Sequence, residues 1–245
     1  MNKLKLNTKS LKKNLPFALI FLVGFLIAIY PVISQKYYEI KADEEVVEFK
    51  KKASELNPEE VERRLTLANA YNQTLDPSKL ADPYTELEEE GIAEYARMLE
   101  IEEMIGHVEI PKIGQDLPIY AGTRESVLQK GCGHLEGTSL PVGGESTHTV
   151  ITAHRGLPNA LLFRNLDKLV EGDVFYIHNL GQTIAYKVDQ ILVVEPTDFD
   201  PVLVIEGGDY ATLLTCHPYM INSQRLLVRG YRICLLYTSP SPRDS

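Results

Sequence analysis

Cysteine is scarce in this chain, which has only Cys132, Cys216 and Cys234 among its 245 residues. So sparse and odd a set excludes a framework of disulfide bonds. The sequence also lacks a Cys-x-x-Cys pair and a Cys/His pair at zinc-like spacing, so we expect no metal site and no cofactor. Each free thiol is therefore either a small buried apolar group or a nucleophile.

Positive charge is also in short supply, with 25 Lys and Arg against 34 Asp and Glu and a formal net charge of −9. Binding to phosphate backbones needs a concentrated basic surface, so we expect no nucleic-acid partner. Tryptophan is absent, but apolar residues make up 44% and charged residues 24%, which is the composition of a globular protein.

The N-terminus carries the one basic cluster and a long uncharged run. Residues 1–13 contain five lysines and no acidic residue, and Leu15–Ile33 has no charge. Nineteen such residues are enough to cross a bilayer as a helix, and the run does not end in a signal-peptidase pattern. We predict a cytoplasmic tail (1–14) and an uncleaved transmembrane anchor (15–34), with the rest of the chain outside the cell membrane.

The C-terminal residues 234–245 break a strand-like pattern with two prolines and show no periodicity. Their first eleven residues back-translate into the DNA of a transposon adapter used in sequencing libraries. We expect that the natural sequence stops near Ile233, that the remaining residues are an assembly artefact, and that Cys234 carries no chemistry. Resequencing the locus through this junction tests the first two expectations.

The central part divides into a helical and a strand-rich region. Apolar spacing predicts N-terminal helices over 35–75, with Asn57 as an N-cap, Pro58 at the first helical position and Glu60 reaching back to the cap. Residues 76–91 break the pattern with two prolines and an acidic run. Short segments rich in Val, Ile, Tyr and Thr follow, with turn signals between them, and they predict a mainly β domain over 100–233 that forms a closed barrel. The predicted strands are Ile105–Ile110, Leu117–Tyr120, Thr147–Ala153, Val174–His178, Thr183–Val194, Thr212–Thr215 and Arg225–Arg232.

Three residues at the ends of predicted strands have the chemistry for attack on an amide. Cys216 would supply a thiolate, His154 a proton donor for the leaving amine, and Arg225 a fixed cation for the oxyanion. Spacing alone leaves two interpretations open, a catalytic set or a buried structural cysteine.

The wording around these residues resembles one family. Thr212–Cys216 (TLLTC) matches the TLxTC signature of sortases, and Thr149–Gly156 (TVITAHRG) resembles the strand that carries their catalytic histidine. Residues 222–230 resemble the segment after the sortase nucleophile, including its arginine. The resemblance implies a sortase-type β-barrel in which Cys216 is the nucleophile, His154 the general acid/base and Arg225 the oxyanion stabiliser, while Thr215 and His217 line the substrate groove.

The segment Asp82-Pro83-Tyr84 resembles the lid motif of class C sortases, which polymerise pili. The resemblance implies that residues 76–91 form a lid, with Asp82 near Arg225 and Tyr84 over the thiol. It further implies LPxTG-type pilin or surface-protein substrates of a Gram-positive cell wall and an acceptor amine from a pilin lysine or a cell-wall peptide. The second membrane segment usual in class C would follow residue 233, where the suspected adapter begins.

Two alternatives to a transpeptidase remain open from the sequence. The first is a cysteine endopeptidase that releases surface proteins by using water as the acceptor. The second is a non-catalytic, membrane-tethered β-domain, such as a pilin or adhesin, in which Cys216 is merely buried.

Overall fold

The computed structural model describes residues 8–75, 80, 82–84 and 97–234, with side chains from residue 15 onward. Most of the lid segment, the first seven residues and residues 235–245 lie outside this part. Predictions for the basic tail, most of residues 76–91 and the suspected adapter therefore fall outside the described residues.

Two helices precede the barrel in the part of the chain that the structure describes. The first, α1 (Thr8–Glu55), is 48 residues long and joins the apolar run to the first of the predicted N-terminal helices without a break. Its apolar part is almost entirely exposed and is long enough to cross a membrane. Val46, Phe49 and Ala53 then bury one face of α1 against the barrel.

The second helix, α2 (Pro58–Asn72), begins as predicted. The Asn57 side chain accepts a hydrogen bond from the Glu59 amide (3.0 Å), and Pro58 fills a position whose amide needs no partner. The predicted reach of Glu60 back to the cap is wrong, because its carboxylate binds the guanidinium groups of Arg63 and Arg64 instead.

Eight strands and a short helix, α3 (Glu125–Leu128), make up the rest of the domain. The strands are β1 (Met104–Ile110), β2 (Gln115–Ala121), β3 (Cys132–His134), β4 (Thr147–Thr152), β5 (Val174–Asn179), β6 (Gln182–Val194), β7 (Asp209–His217) and β8 (Gln224–Ile233). They close into a barrel in the order β1-β2-β3-β4-β7-β8-β6-β5, which confirms the predicted mainly β, closed-barrel fold. Between β4 and β5 the chain forms a 3-10 turn at Leu166–Lys168.

Asn72 ties the end of α2 to the loop that follows β3. Its side chain accepts a hydrogen bond from the Leu140 amide (2.7 Å) and donates one to the Leu140 carbonyl (3.3 Å), and both groups are buried. Truncation in Asn72→Ala would leave the buried Leu140 amide without a partner, while the Leu140 carbonyl keeps the Val142 amide as a donor at 2.8 Å. We expect a loss of about 1–3 kcal/mol in the free energy of unfolding.

Urea unfolding in detergent, followed by circular dichroism, measures this loss. Asn69→Ala makes the same chemical change on an exposed position of the same helix and should cost less than about 0.5 kcal/mol. Equal losses for the two variants would show that the pair of hydrogen bonds to Leu140 does not stabilise the fold.

Candidate active site

The register of three neighbouring strands brings the predicted residues to one end of the barrel. Cys216 on β7 lies directly opposite Arg225 on β8. On its other side β7 runs parallel to β4, where the last pair is Thr152 with Leu214. Two residues beyond this pair, His154 follows β4 and Cys216 lies in β7, so the two are at the same height on the barrel. Cys216 therefore has His154 on one side and Arg225 on the other.

Side-chain alternation decides which face of the barrel the thiol occupies. Ile151, Leu213 and Val228 point inward and belong to the main core. The alternate positions Val150, Leu214 and Leu227 form a second cluster with Leu135 and Val202 on the outer face. Cys216 follows Leu214 by two residues and Arg225 precedes Leu227 by two, so both lie on the outer face and not in the barrel interior.

The described residues of segment 76–91 cover this outer face. Leu80 and Tyr84 pack against the second cluster, and Asp82 forms two hydrogen bonds with Arg225, from Nε and Nη2, each 2.7 Å long. Both side chains of this ion pair are less than a tenth exposed. A buried, two-point pair of this kind holds a loop in one position far better than a surface contact does.

Tyr84 stands between the two partners of the thiol. Its ring centroid lies 5.0 Å from Arg225 Cζ and 5.6 Å from the centroid of the His154 ring. Its hydroxyl donates to the Ala153 carbonyl at 2.7 Å, which fixes the ring over the end of β4. As a result only 7% of Cys216 is exposed to solvent.

Burial controls the ionisation of the site. It raises the pKa of Cys216 to about 11; the Arg225 and Arg155 charges act to lower that pKa, and Asp82 acts to raise it. Burial and the nearby Cys216 raise the pKa of Tyr84 far above its ordinary value. At neutral pH the covered thiol is therefore protonated, with a thiolate fraction on the order of one in ten thousand.

Most N–H groups of the Arg225 guanidinium already donate hydrogen bonds within the protein. Burial acts to lower the pKa of Arg225, but Asp82 outweighs burial and raises it. Nη1 donates to the carbonyls of Asn222 (3.0 Å) and Gln224 (2.9 Å), while Nε and Nη2 donate to Asp82. Four of the five N–H groups of a guanidinium are thus used, and Asp82 must leave before the fork can face a substrate oxygen.

The predicted groove residues have different surroundings. Thr215 is fully buried and donates its hydroxyl to the Ala153 carbonyl (2.7 Å), so it links β7 to the end of β4 and does not face solvent. His217 is partly exposed, and its Nδ1 accepts a hydrogen bond from Arg155 Nη1 at 3.0 Å. Arg155 itself is anchored by Asp167, at 2.7 Å.

Two contributors to the site were not predicted. Glu125, at the start of α3, lies 3.1 Å from His154 Nε2 through its Oε2 and holds one side of the imidazole. Arg155 adds a second positive charge near the thiol. No sequence signal marks Glu125, which lies 29 residues from the histidine in a short polar helix.

A second arginine of β8, Arg229, pairs with an acidic residue away from the thiol. Arg229 lies opposite Thr212 and binds Asp189 through Nε (3.2 Å) and Nη2 (2.7 Å), with its guanidinium over the Tyr210 ring. It shares the outer face with Arg225, but it stands four residues further along the strand from the thiol.

Known proteins with similar sequence or structure agree with this architecture. The family model described as Sortase domain matches residues 108–233. A solved structure of a pilus-related sortase C of Group B Streptococcus is 59% identical and has a TM-score of 0.74, covering 76% of this chain and 96% of that chain. Sortase C-1 from Streptococcus pneumoniae is 56% identical with a TM-score of 0.77, covering 79% and 100%. Sortase A of Bacillus anthracis is 26% identical over 157 residues, which cover 64% of this chain and 70% of that protein.

Proposed function

The chain belongs to the sortase family of cysteine transpeptidases, with class C enzymes among its similar structures, and from this we propose that it polymerises pilins. The substrate is a secreted pilin or surface protein with an LPxTG-like sorting signal. The acceptor is an amine, most simply a lysine side chain of the next pilin. The observation that carries the proposal is the register that sets Cys216 between His154 and Arg225 on the outer face of the barrel.

The three side chains have distinct roles in the proposed reaction. His154 accepts the thiol proton, and Cys216 Sγ attacks the Thr carbonyl carbon of the signal. Arg225 stabilises the oxyanion. The peptide C–N bond breaks as His154 returns the proton to the leaving amine, and a thioester remains. The acceptor amine then attacks the thioester carbonyl, forms the new amide and releases the thiol.

Membrane attachment fits this substrate class. The apolar part of α1 serves as the anchor, and the five lysines before it favour a cytoplasmic N-terminus with the barrel outside the cell. The substrate and the enzyme would then share one membrane surface.

Incubation of the protein with an LPxTG peptide and a lysine-containing peptide tests the proposal. We expect a thioester adduct on Cys216 and a new amide between the two peptides, both identified by mass spectrometry. Peptide that is cleaved but never joined to the amine would replace the transpeptidase by an endopeptidase. If the Asp82→Ala variant described below also forms no thioester adduct, the proposal is overturned.

We also propose that Asp82-Pro83-Tyr84 acts as a lid that keeps the free enzyme inactive. Asp82 holds the guanidinium that the oxyanion needs, and Tyr84 keeps water and substrate from the thiol. Binding of a sorting signal would have to displace both side chains.

Loosening the lid should speed the reaction of Cys216 with a thiol reagent at neutral pH. Asp82→Ala removes the carboxylate that raises the pKa of Cys216 and releases the cover that buries it, so that pKa falls. Each unit of decrease gives about ten times more thiolate below the pKa, so we expect a labelling rate at least about tenfold higher. The labelling rate should rise with pH in both proteins, and the rise should occur at lower pH in Asp82→Ala than in the unaltered protein.

Labelling is best followed on the Cys216 peptide by mass spectrometry, because the exposed Cys234 reacts in every variant. Asp189→Ala is the matched control, since it breaks another two-point Asp–Arg pair on the barrel away from the thiol. Coincident pH curves for Asp82→Ala and the unaltered protein would contradict the lid.

A further inference from the structure

The path of α1 sets which end of the barrel lies nearest the anchor. At its membrane-side end, Gln35 Nε2 donates to the Pro158 carbonyl at 3.1 Å, in the loop that follows β4. β4 and β7 both run toward the Pro158 end, and His154 and Cys216 lie there, each two residues beyond the last strand pair, Thr152 with Leu214. The active site is therefore at the membrane-side end.

The depth of this contact follows from helix geometry. Gln35 lies two residues after Ile33, the last residue of the uncharged run, which is about 3 Å along a helix. The headgroup layer on each side of a bilayer is roughly 5–7 Å thick. The Pro158 loop is thus level with the headgroups when the apolar run fills the hydrocarbon core.

An exposed apolar loop stands beside Pro158. The turn between β7 and β8 presents Tyr219, Met220 and Ile221, which are 44%, 66% and 70% exposed. The amides of Ile221 and Asn222 both donate to the Pro218 carbonyl at 3.0 Å, so the turn has a defined shape. Three adjacent exposed apolar residues on such a turn mark it as a candidate interaction surface.

The apolar turn reaches toward the anchor through short contacts. Met220 Sδ lies 3.6 Å from the position of a Cβ on Gly156, and Gly156 is two residues from Pro158. Two residues span at most about 7 Å, so the turn is near the point where α1 meets the barrel. The Arg164 guanidinium lies 5.9 Å from the Tyr219 ring, a cation beside an aromatic as found at headgroup level.

We propose that the turn Tyr219–Ile221 docks on the lipid bilayer and holds the active-site end of the barrel against the membrane surface. The proposal rests on α1 being the membrane anchor, and it adds a second, peripheral contact. Its consequence is that the mouth containing Cys216 opens at headgroup level. Substrates that are still tethered in the same membrane then reach the thiol without being extracted.

The absence of Trp makes a single indole a clean probe of this contact. Ile221→Trp, Val204→Trp and Phe25→Trp proteins are each reconstituted into phosphatidylcholine liposomes, with and without bromine on the upper part of the acyl chains. Val204 is the control: it is exposed and apolar, and it precedes β7 at the opposite end of the barrel. Phe25 lies in the middle of the apolar run and reports on the anchor.

We expect brominated lipid to remove roughly a third or more of the I221W emission and to leave V204W unchanged, as for a side chain at the interface and one far from it. M220W should behave as I221W does. An introduced indole can itself favour the membrane interface. The evidence for docking is therefore the difference in quenching between I221W and V204W. A quenched F25W beside an I221W that matches V204W would overturn the docking and leave the anchor standing. An unquenched F25W would refute the anchor and the docking together.

Discussion

Replacing Cys216 by alanine is expected to abolish the acyl-enzyme and to lower the rate of amide exchange by about a thousandfold or more. In the proposed reaction the thiol is the group that bonds to the substrate, and neighbouring groups do not replace a lost nucleophile. The proposed oxyanion site and the groove remain in this variant, so peptide binding should persist. Loss of the adduct by mass spectrometry, together with retained peptide binding, is the expected result.

Cys132→Ala is the matched control for this change. Cys132 is also buried, but it lies in β3 and faces the main core, and burial raises the pKa of its thiol further than that of Cys216. Its removal should leave the rate within about twofold while costing some stability, because it empties a small apolar volume. A Cys216→Ala protein as fast as Cys132→Ala would end the proposal for this site.

The sequence predicted the main strands because their signals are local. β7 and β8 each contain an unbroken run of residues that are buried on both faces of the sheet, and turn residues mark where each strand ends. Those limits placed Cys216 and Arg225 at strand ends, and the family resemblance placed His154 beside them. Their common level then follows from pairing between β4, β7 and β8.

β3 was not predicted, and the reason is physical. Its middle residue, Gly133, lies where a Cβ would come within 2.4 Å of the Gly122 carbonyl oxygen. Only glycine permits that approach, so the strand has the composition of a turn. The three-residue strand depends on parallel pairing with β2, a non-local contact with no periodic signal.

The contact between Glu125 and His154 escaped prediction for a similar reason. It joins a short helix to the end of a strand across the barrel rim, and each residue is unremarkable in its own segment. By contrast, the approach of Asp82 to Arg225 was expected, though only through the family resemblance. A separation of 143 residues carries no local signal, so the two-point pairing itself required the folded chain.

Arg225→Lys is expected to lower kcat/KM for the sorting peptide by about a hundredfold to a thousandfold, the usual loss when one oxyanion donor is removed. Lysine keeps the positive charge but not the planar fork, so it cannot make the paired donation that the arginine makes to Asp82. The loss should appear mainly in kcat, because the oxyanion exists only in the transition state.

Lysine is chosen in place of alanine so that the variant still folds. An alanine at this position would take away the two-point guanidinium partner of the buried Asp82 carboxylate, which is strongly destabilising by itself. Arg229→Lys is the matched control, because it weakens a similar two-point pair on the same strand but stands away from the thiol. If both lysine variants turned over the peptide within about threefold of the unaltered protein, the guanidinium of Arg225 would hold the lid without stabilising the oxyanion.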